Sequence, residues 1–170
     1  VNLQSLRSAG LKVVTDPMYG SGLGLLPQIL RGGSTSVVEI HGEPNPKFPG
    51  IDQPEPTAAN LVELGRKVVD SGADFGIAYD GDADRLGLVD ETGRFVTALE
   101  TFSLLCLYEL EVLGNRGPLI RSLTQSVMVD KLANIYGVTV TETKVGFKHI
   151  APLFEAEIAL AAGEESGGYT

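Results

Sequence analysis

The sequence predicts an α/β fold: a mixed, partly parallel sheet with flanking helices, followed by a truncated second α/β unit of similar type. Short apolar runs at 11–15, 36–40 and 75–79 alternate with stretches of helical period at 23–30 and 58–71. That order favours parallel strands with helices laid against the sheet. A turn, Asp90-Glu91-Thr92-Gly93, separates the run after Arg85 from residues 94–97, so this edge is expected to be antiparallel. A second strand, helix, strand cycle begins near residue 119.

Leu11-Lys12-Val13-Val14-Thr15 is β-branched and leads into Asp16-Pro17-Met18-Tyr19-Gly20-Ser21-Gly22, after which residues 23–30 read as helix. A dinucleotide-binding fingerprint would need its third glycine at Leu25, so the glycine-rich turn reads as architecture. Ser21 and the amides beside it are placed to attract an anion at a helix start. Arg31-Gly32-Gly33-Ser34 closes the helix before the strand at 36–40. Pro44, Pro46, Pro49, Pro54 and Pro56 then mark 41–56 as a long ordered loop or a surface excursion, since proline continues neither a ladder nor a helix interior. His41 and Lys47 could contact a ligand there, although a lone histidine beside such a loop is more often structural.

Glu55-Pro56-Thr57 reads as a helix start, with Thr57 or Glu55 near the cap. Leu61, Leu64 and Val68 carry the helical spacing through 58–71, and Gly72 ends it. Residues 98–113 form a strongly apolar helix stopped by Gly114-Asn115-Arg116-Gly117-Pro118. The domain change is expected just before that helix, dividing 1–96 from 97–170. A strand from Leu119-Ile120, a helix at 126–136, Gly137 and a strand at 138–143 complete the second cycle. The two units resemble each other in pattern without an alignable repeat. Lys144-Val145-Gly146-Phe147-Lys148-His149-Ile150 comes next, and an alanine-rich run leads to Gly163-Glu164-Glu165-Ser166-Gly167-Gly168.

Composition narrows the function classes. Hydrophobic residues are 43% and charged residues 21%, enough for a packed core, and no apolar run approaches the roughly 18 residues of a membrane span. A net charge of −9 without a basic cluster argues against nucleic-acid binding. No signal-like segment opens the chain, and a start at Val1 suggests an excised piece. The one cysteine, Cys106, lies in an apolar helical run and reads as buried core, compatible with a reducing cytoplasm.

The chemistry concentrates in Asp80-Gly81-Asp82-Ala83-Asp84-Arg85, between the strand-like runs Phe75-Gly76-Ile77-Ala78-Tyr79 and Leu86-Gly87-Leu88-Val89. Three alternating carboxylates repel one another unless a cation neutralises them, and such hard oxygen donors suit Mg²⁺, Mn²⁺ or Ca²⁺. A solvated acidic turn is the bland alternative. An EF-hand loop fails on context, because Arg85 stands where glycine is needed and the flanks are strand-like.

This hexapeptide resembles the metal-binding loop of the α-D-phosphohexomutases, the phosphoglucomutase/phosphomannomutase family. The Lys144–Ile150 stretch resembles the same family's glycine-containing loop that enters the active cleft from the third domain, and the Gly163–Gly168 stretch resembles its sugar-recognition loop. The resemblance implies a chain that holds the family's second domain over 1–96 and the N-terminal part of its third over 97–170. It implies that Asp80, Asp82 and Asp84 bind Mg²⁺ and that Arg85 faces the phosphoryl-transfer centre. Lys148 would contact phosphate or assist proton transfer, while Glu164 and Ser166 would hold sugar hydroxyls. The form of the last loop looks more like phosphoglucomutase or phosphomannomutase than phosphoglucosamine mutase. The implied parent is a cytoplasmic isomerase, an intramolecular phosphotransferase acting through a phosphoserine and a bisphosphate. Its partners would be a phosphosugar and the remaining domains of the parent chain, with neither nucleic acid nor membrane. No serine followed by His-Asn-Pro occurs in these residues, so the piece alone is expected to be inactive. A metal-dependent sugar-phosphate phosphatase and a non-catalytic divalent-ion or sugar-binding module are the alternatives.

Overall fold

Val13 and Val14 are buried in an interior strand of a five-stranded sheet, and the β-branched run at 11–15 is a strand as its pattern predicts. The computed structural model describes residues 2–157 and 159–170. It separates into two compact units, Val1–Val96 and Thr97–Thr170.

The first unit runs α1 (Leu3–Ser8), β1 (Lys12–Asp16), α2 (Leu25–Leu30), β2 (Ser36–Glu39), α3 (Val62–Ser71), β3 (Phe75–Tyr79), β4 (Leu86–Asp90) and β5 (Phe95–Val96). Its strand order is β2-β1-β3-β4-β5. β1 pairs in parallel with β2 and β3, whereas β3, β4 and β5 pair antiparallel, giving the mixed sheet that the strand–helix alternation and the Asp90–Gly93 turn together predict. Leu64 and Val68 of α3 are buried with Val14, Met18, Ala78 and Val89. Gly76 makes this close approach feasible, since a Cβ there would stand 2.9 Å from the Leu64 and Val68 side chains. Gly72 ends α3 in the left-handed conformation at φ 59°, which glycine adopts without steric cost.

Two local expectations change. α3 starts at Val62 rather than 58, and neither Glu55 nor Thr57 caps it. The Asn60 side chain donates to the carbonyls of Gln53 and Glu55, so this turn is tied to the proline-rich loop instead of extending the helix. α1 has no counterpart in the sequence reading. It buries no residue and is capped by Asn2, whose side chain accepts from the Ser5 amide at 3.1 Å, so it lacks a strong apolar stripe.

The second unit comprises α4 (Ala98–Leu107), a π-helical turn (Tyr108–Val112), β6 (Leu119–Ser122), α5 (Met128–Tyr136), β7 (Val140–Thr143), α6 (Phe147–Glu157) and β8 (Ala161–Gly163). Its sheet, β7-β6-β8, is parallel throughout. Thr97 and Glu100 form a reciprocal capping box at the start of α4. Cys106 is buried, and desolvation pushes its thiol pKa up to about 12. The segment read as a loop at 144–150 instead enters α6. Gly146 and Pro152 look like punctuation, but buried Ile150, with Phe147, Leu153 and Phe154, packs against Ile120 and Ala162, and that burial outweighs weak local propensity. Among the described residues, no helix is long and apolar enough to cross a membrane.

Candidate metal centre

The β3–β4 hairpin pairs Tyr79 with Leu86, leaving the six acidic-loop residues to close its end. Asp80 is only 2% exposed and organises the loop. Its Oδ1 accepts from the backbone amides of Asp84 at 2.9 Å and Arg85 at 3.0 Å. Its carbonyl accepts from Ala83, which turns through φ 63°. Asp82 and Asp84 are exposed, and one carboxylate oxygen from each of the three aspartates lies within 4.8 Å of the others.

The loop is clasped from two sides. On one, the Ser21 amide donates to the Gly81 carbonyl at 3.0 Å, and a Cβ on Gly20 would stand 2.5 Å from that oxygen. On the other, the Gly81 amide donates to the Pro54 carbonyl at 3.0 Å. The glycine-rich turn after β1 is therefore a support for the acidic loop. The anion expected at the start of α2 has an internal counterpart, because the Gly24 amide donates to the Glu39 carboxylate at 3.1 Å.

Arg85 is surrounded by acids. Its Nε lies 3.0 Å from Asp80 Oδ2 and 3.6 Å from Asp84 Oδ1, and its Nη1 donates to Glu55 Oε1 at 2.8 Å. Partial burial acts against the charged form, but Glu55, Asp80 and Asp84 outweigh it and raise the guanidinium pKa. Glu55, read from sequence only as part of a helix start, is thus a member of the site. Its long separation from Arg85 in the chain hid the pairing.

The donor set fits a hard divalent cation. Oxygens sharing a Mg²⁺ at about 2.1 Å are at most about 4.2 Å apart, a gap small rotations of the exposed Asp82 and Asp84 side chains can close. Asp80 has one oxygen committed to backbone amides and the other to Arg85, so the outward Asp82 and Asp84 carboxylates are the more available donors.

His41 has a structural setting. Its Nδ1 is 3.0 Å from both Asp16 oxygens and its Nε2 is 3.3 Å from Glu63, with Tyr19 packed at a ring separation of 4.6 Å. Burial raises the Asp16 pKa despite hydrogen bonds from the Met18 amide and His41. Lys47 is exposed.

In the second unit, Ser166 Oγ donates to Glu164 Oε1 at 2.7 Å, so these two side chains are brought together. The Glu164 amide also donates to the Gly168 carbonyl across a turn in which Gly167 has φ 93°. Neighbouring Glu165 accepts from Ser122 Oγ at 2.8 Å at the end of β6. Although burial opposes ionisation, the hydroxyls of Thr124 and Ser122 and a backbone amide hold the Glu165 carboxyl below its usual pKa. The second glutamate of the loop is therefore its anchor, a role its sequence position did not reveal. Lys148 is exposed in the first turn of α6, and His149 is partly buried beside it.

A mixed-sheet α/β unit carrying an acidic hairpin loop, followed by a parallel α/β unit, defines a two-domain chain of one recurrent class. Residues 1–93 match the family model for phosphoglucomutase/phosphomannomutase, alpha/beta/alpha domain II, and residues 100–170 match that for domain III. The chain belongs to the phosphoglucomutase/phosphomannomutase family. It is 37% identical over 162 residues to a Methanosarcina barkeri protein assigned as a phosphoglucosamine mutase, covering 95% of this chain and 36% of that one. Against the phosphoglucomutase/phosphomannomutase of Thermococcus kodakarensis it is 36% identical over 168 residues, 99% of this chain and 36% of the relative. A crystal structure from Thermus thermophilus assigned as a phosphomannomutase superposes with a TM-score of 0.92 at 34% identity, covering 100% of this chain and 39% of that one. The chain thus spans little more than a third of the length of these relatives.

Proposed function

We propose that this chain supplies the metal-binding and sugar-recognition domains of a phosphohexomutase that interconverts hexose 1-phosphate and hexose 6-phosphate. The observation that carries the reading is the clasped hairpin loop, with three aspartate oxygens within 4.8 Å of one another and a guanidinium alongside. Asp80, Asp82 and Asp84 are the proposed ligands of Mg²⁺. When bound, that ion supplies charge neutralisation for phosphoryl transfer.

Arg85 offers a fixed positive partner to phosphoryl oxygens, and Lys148 offers an exposed ammonium for phosphate contact or proton transfer. Glu164 accepts hydrogen bonds from sugar hydroxyls, with Ser166 available as donor or acceptor. A phosphoserine outside these residues gives its phosphoryl group to the substrate hydroxyl. The resulting bisphosphate reorients, and its other phosphoryl group returns to the serine. Recognition of the sugar in both orientations by Glu164 and Ser166 lets one site serve both transfers.

The resemblance of the glycine-flanked Glu164-Glu165-Ser166 loop to that of phosphoglucomutases and phosphomannomutases supports glucose or mannose phosphates as substrates. The relatives carry both phosphoglucosamine mutase and phosphoglucomutase/phosphomannomutase names, so glucosamine phosphate belongs in the same assay. The test compares conversion of glucose, mannose and glucosamine 1-phosphates to the 6-phosphates by the full-length protein with and without Mg²⁺. Turnover that requires the ion and disappears in Asp82→Asn is expected. Metal-independent turnover, or release of inorganic phosphate as the main product, overturns the reading.

A further inference from the structure

We infer that Glu55 is a positioning residue for the metal loop, which keeps the tethered Arg85 cation from occupying the carboxylates a divalent ion needs. This rests on the proposed metal-binding reading. Arg85 is a competitor built into the site: its Nε is already 3.0 Å from Asp80 Oδ2 and 3.6 Å from Asp84 Oδ1. Glu55 accepts from Nη1 at 2.8 Å and draws the guanidinium outward. Without that acceptor, the charge of Arg85 is balanced only by the loop's own aspartates. The guanidinium then turns further onto Asp84, one of the two outward carboxylates.

Glu55 is held where it can do this. The Pro54 carbonyl accepts from the Gly81 amide, and the Glu55 carbonyl accepts from Asn60 Nδ2 at 2.9 Å. Pro56 is buried so closely against β4 that a Cβ on Gly87 would stand 2.6 Å from Pro56 Cβ. The glutamate is therefore set between two anchors, both facing the acidic hairpin. A glutamate merely stabilising the fold would not require this connection to the cation-binding oxygens.

The test is calorimetric Mg²⁺ titration of the full-length protein, repeated by Mn²⁺ electron paramagnetic resonance, for the unmodified protein, Glu55→Gln, Arg85→Gln and the double variant. Glu55→Gln is expected to weaken binding on the order of fivefold when Arg85 is present, the upper range for a partly exposed ion pair. In the Arg85→Gln background the same change is expected to cost less than about twofold. Glu55→Ala is expected to repeat the loss with Arg85 present, which keeps the test independent of one variant's folding. Equal losses in both backgrounds would show Glu55 acting as a remote charge and overturn the inference. Unchanged affinity in Glu55→Gln would also overturn it. Absence of ion binding by the unmodified full-length protein would instead reject the metal-loop reading on which the inference stands.

Discussion

Asp80 and Asp82 are chemically identical and two positions apart, yet the fold gives them different work. Asp80 is buried and accepts two backbone amides, while Asp82 projects into solvent. Asp80→Ala leaves those amides without their acceptor and is expected to destabilise the first unit by about 2–4 kcal/mol. Asp82→Asn should leave stability within about 0.5 kcal/mol while weakening Mg²⁺ binding on the order of tenfold or more. Chemical denaturation and metal titration of the two variants separate the roles. Equal stability losses would contradict the division. Asp90 illustrates a different use of a carboxylate. Hydrogen bonding from Thr92, followed by donors from Arg94, lowers its pKa to about 2, despite desolvation acting the other way. Its support for the folded turn is present above the ordinary carboxyl pKa of about 3.9 and is lost as pH falls through about 2. A carboxyl NMR titration with its midpoint near 4 would contradict this.

At the scale of the element, the acidic hairpin depends on two segments distant in sequence. The turn after β1 holds the Gly81 carbonyl through the Ser21 amide, and the proline-rich loop holds the Gly81 amide through Pro54. Gly20 permits the first approach, because an added Cβ would meet the Gly81 carbonyl oxygen at 2.5 Å. Gly20→Ala is expected to cost about 1–3 kcal/mol through overpacking and to weaken Mg²⁺ binding by displacing the loop. Thermal denaturation and metal titration read the two effects. A variant with unchanged melting and affinity would show that the contact does not constrain the hairpin. Glu165 performs a comparable anchoring role in the second unit, joining the Glu164–Ser166 turn to Ser122.

For the whole molecule, the proposed division of labour predicts no mutase turnover from these 170 residues alone. They contain the acidic loop and the glycine-flanked Glu164-Glu165-Ser166 stretch but no Ser-His-Asn-Pro motif, the one by which the proposed reading would recognise the phosphoserine. The measurement is hexose 1-phosphate conversion by this chain with Mg²⁺ and catalytic sugar bisphosphate, and sustained turnover would overturn the division. Much of the architecture is written locally: β-branched runs, helical spacing around Leu64 and Val68, and Gly72 as a terminator each depend on near neighbours. The three aspartates are legible for the same reason, since alternating acids in a tight turn repel unless balanced. α6 is not legible that way, because Gly146 and Pro152 obscure a helix whose support comes from burial of Ile150 against another chain segment. By itself the sequence determined the alternation of strands and helices and the chemistry of the acidic turn, because both arise from residues close in the chain. Tertiary structure alone decided which oxygens Asp80 commits to the backbone, that Glu55 meets Arg85, and that Glu165 anchors its loop. Those outcomes depend on distances between segments that folding, not chain proximity, brings together.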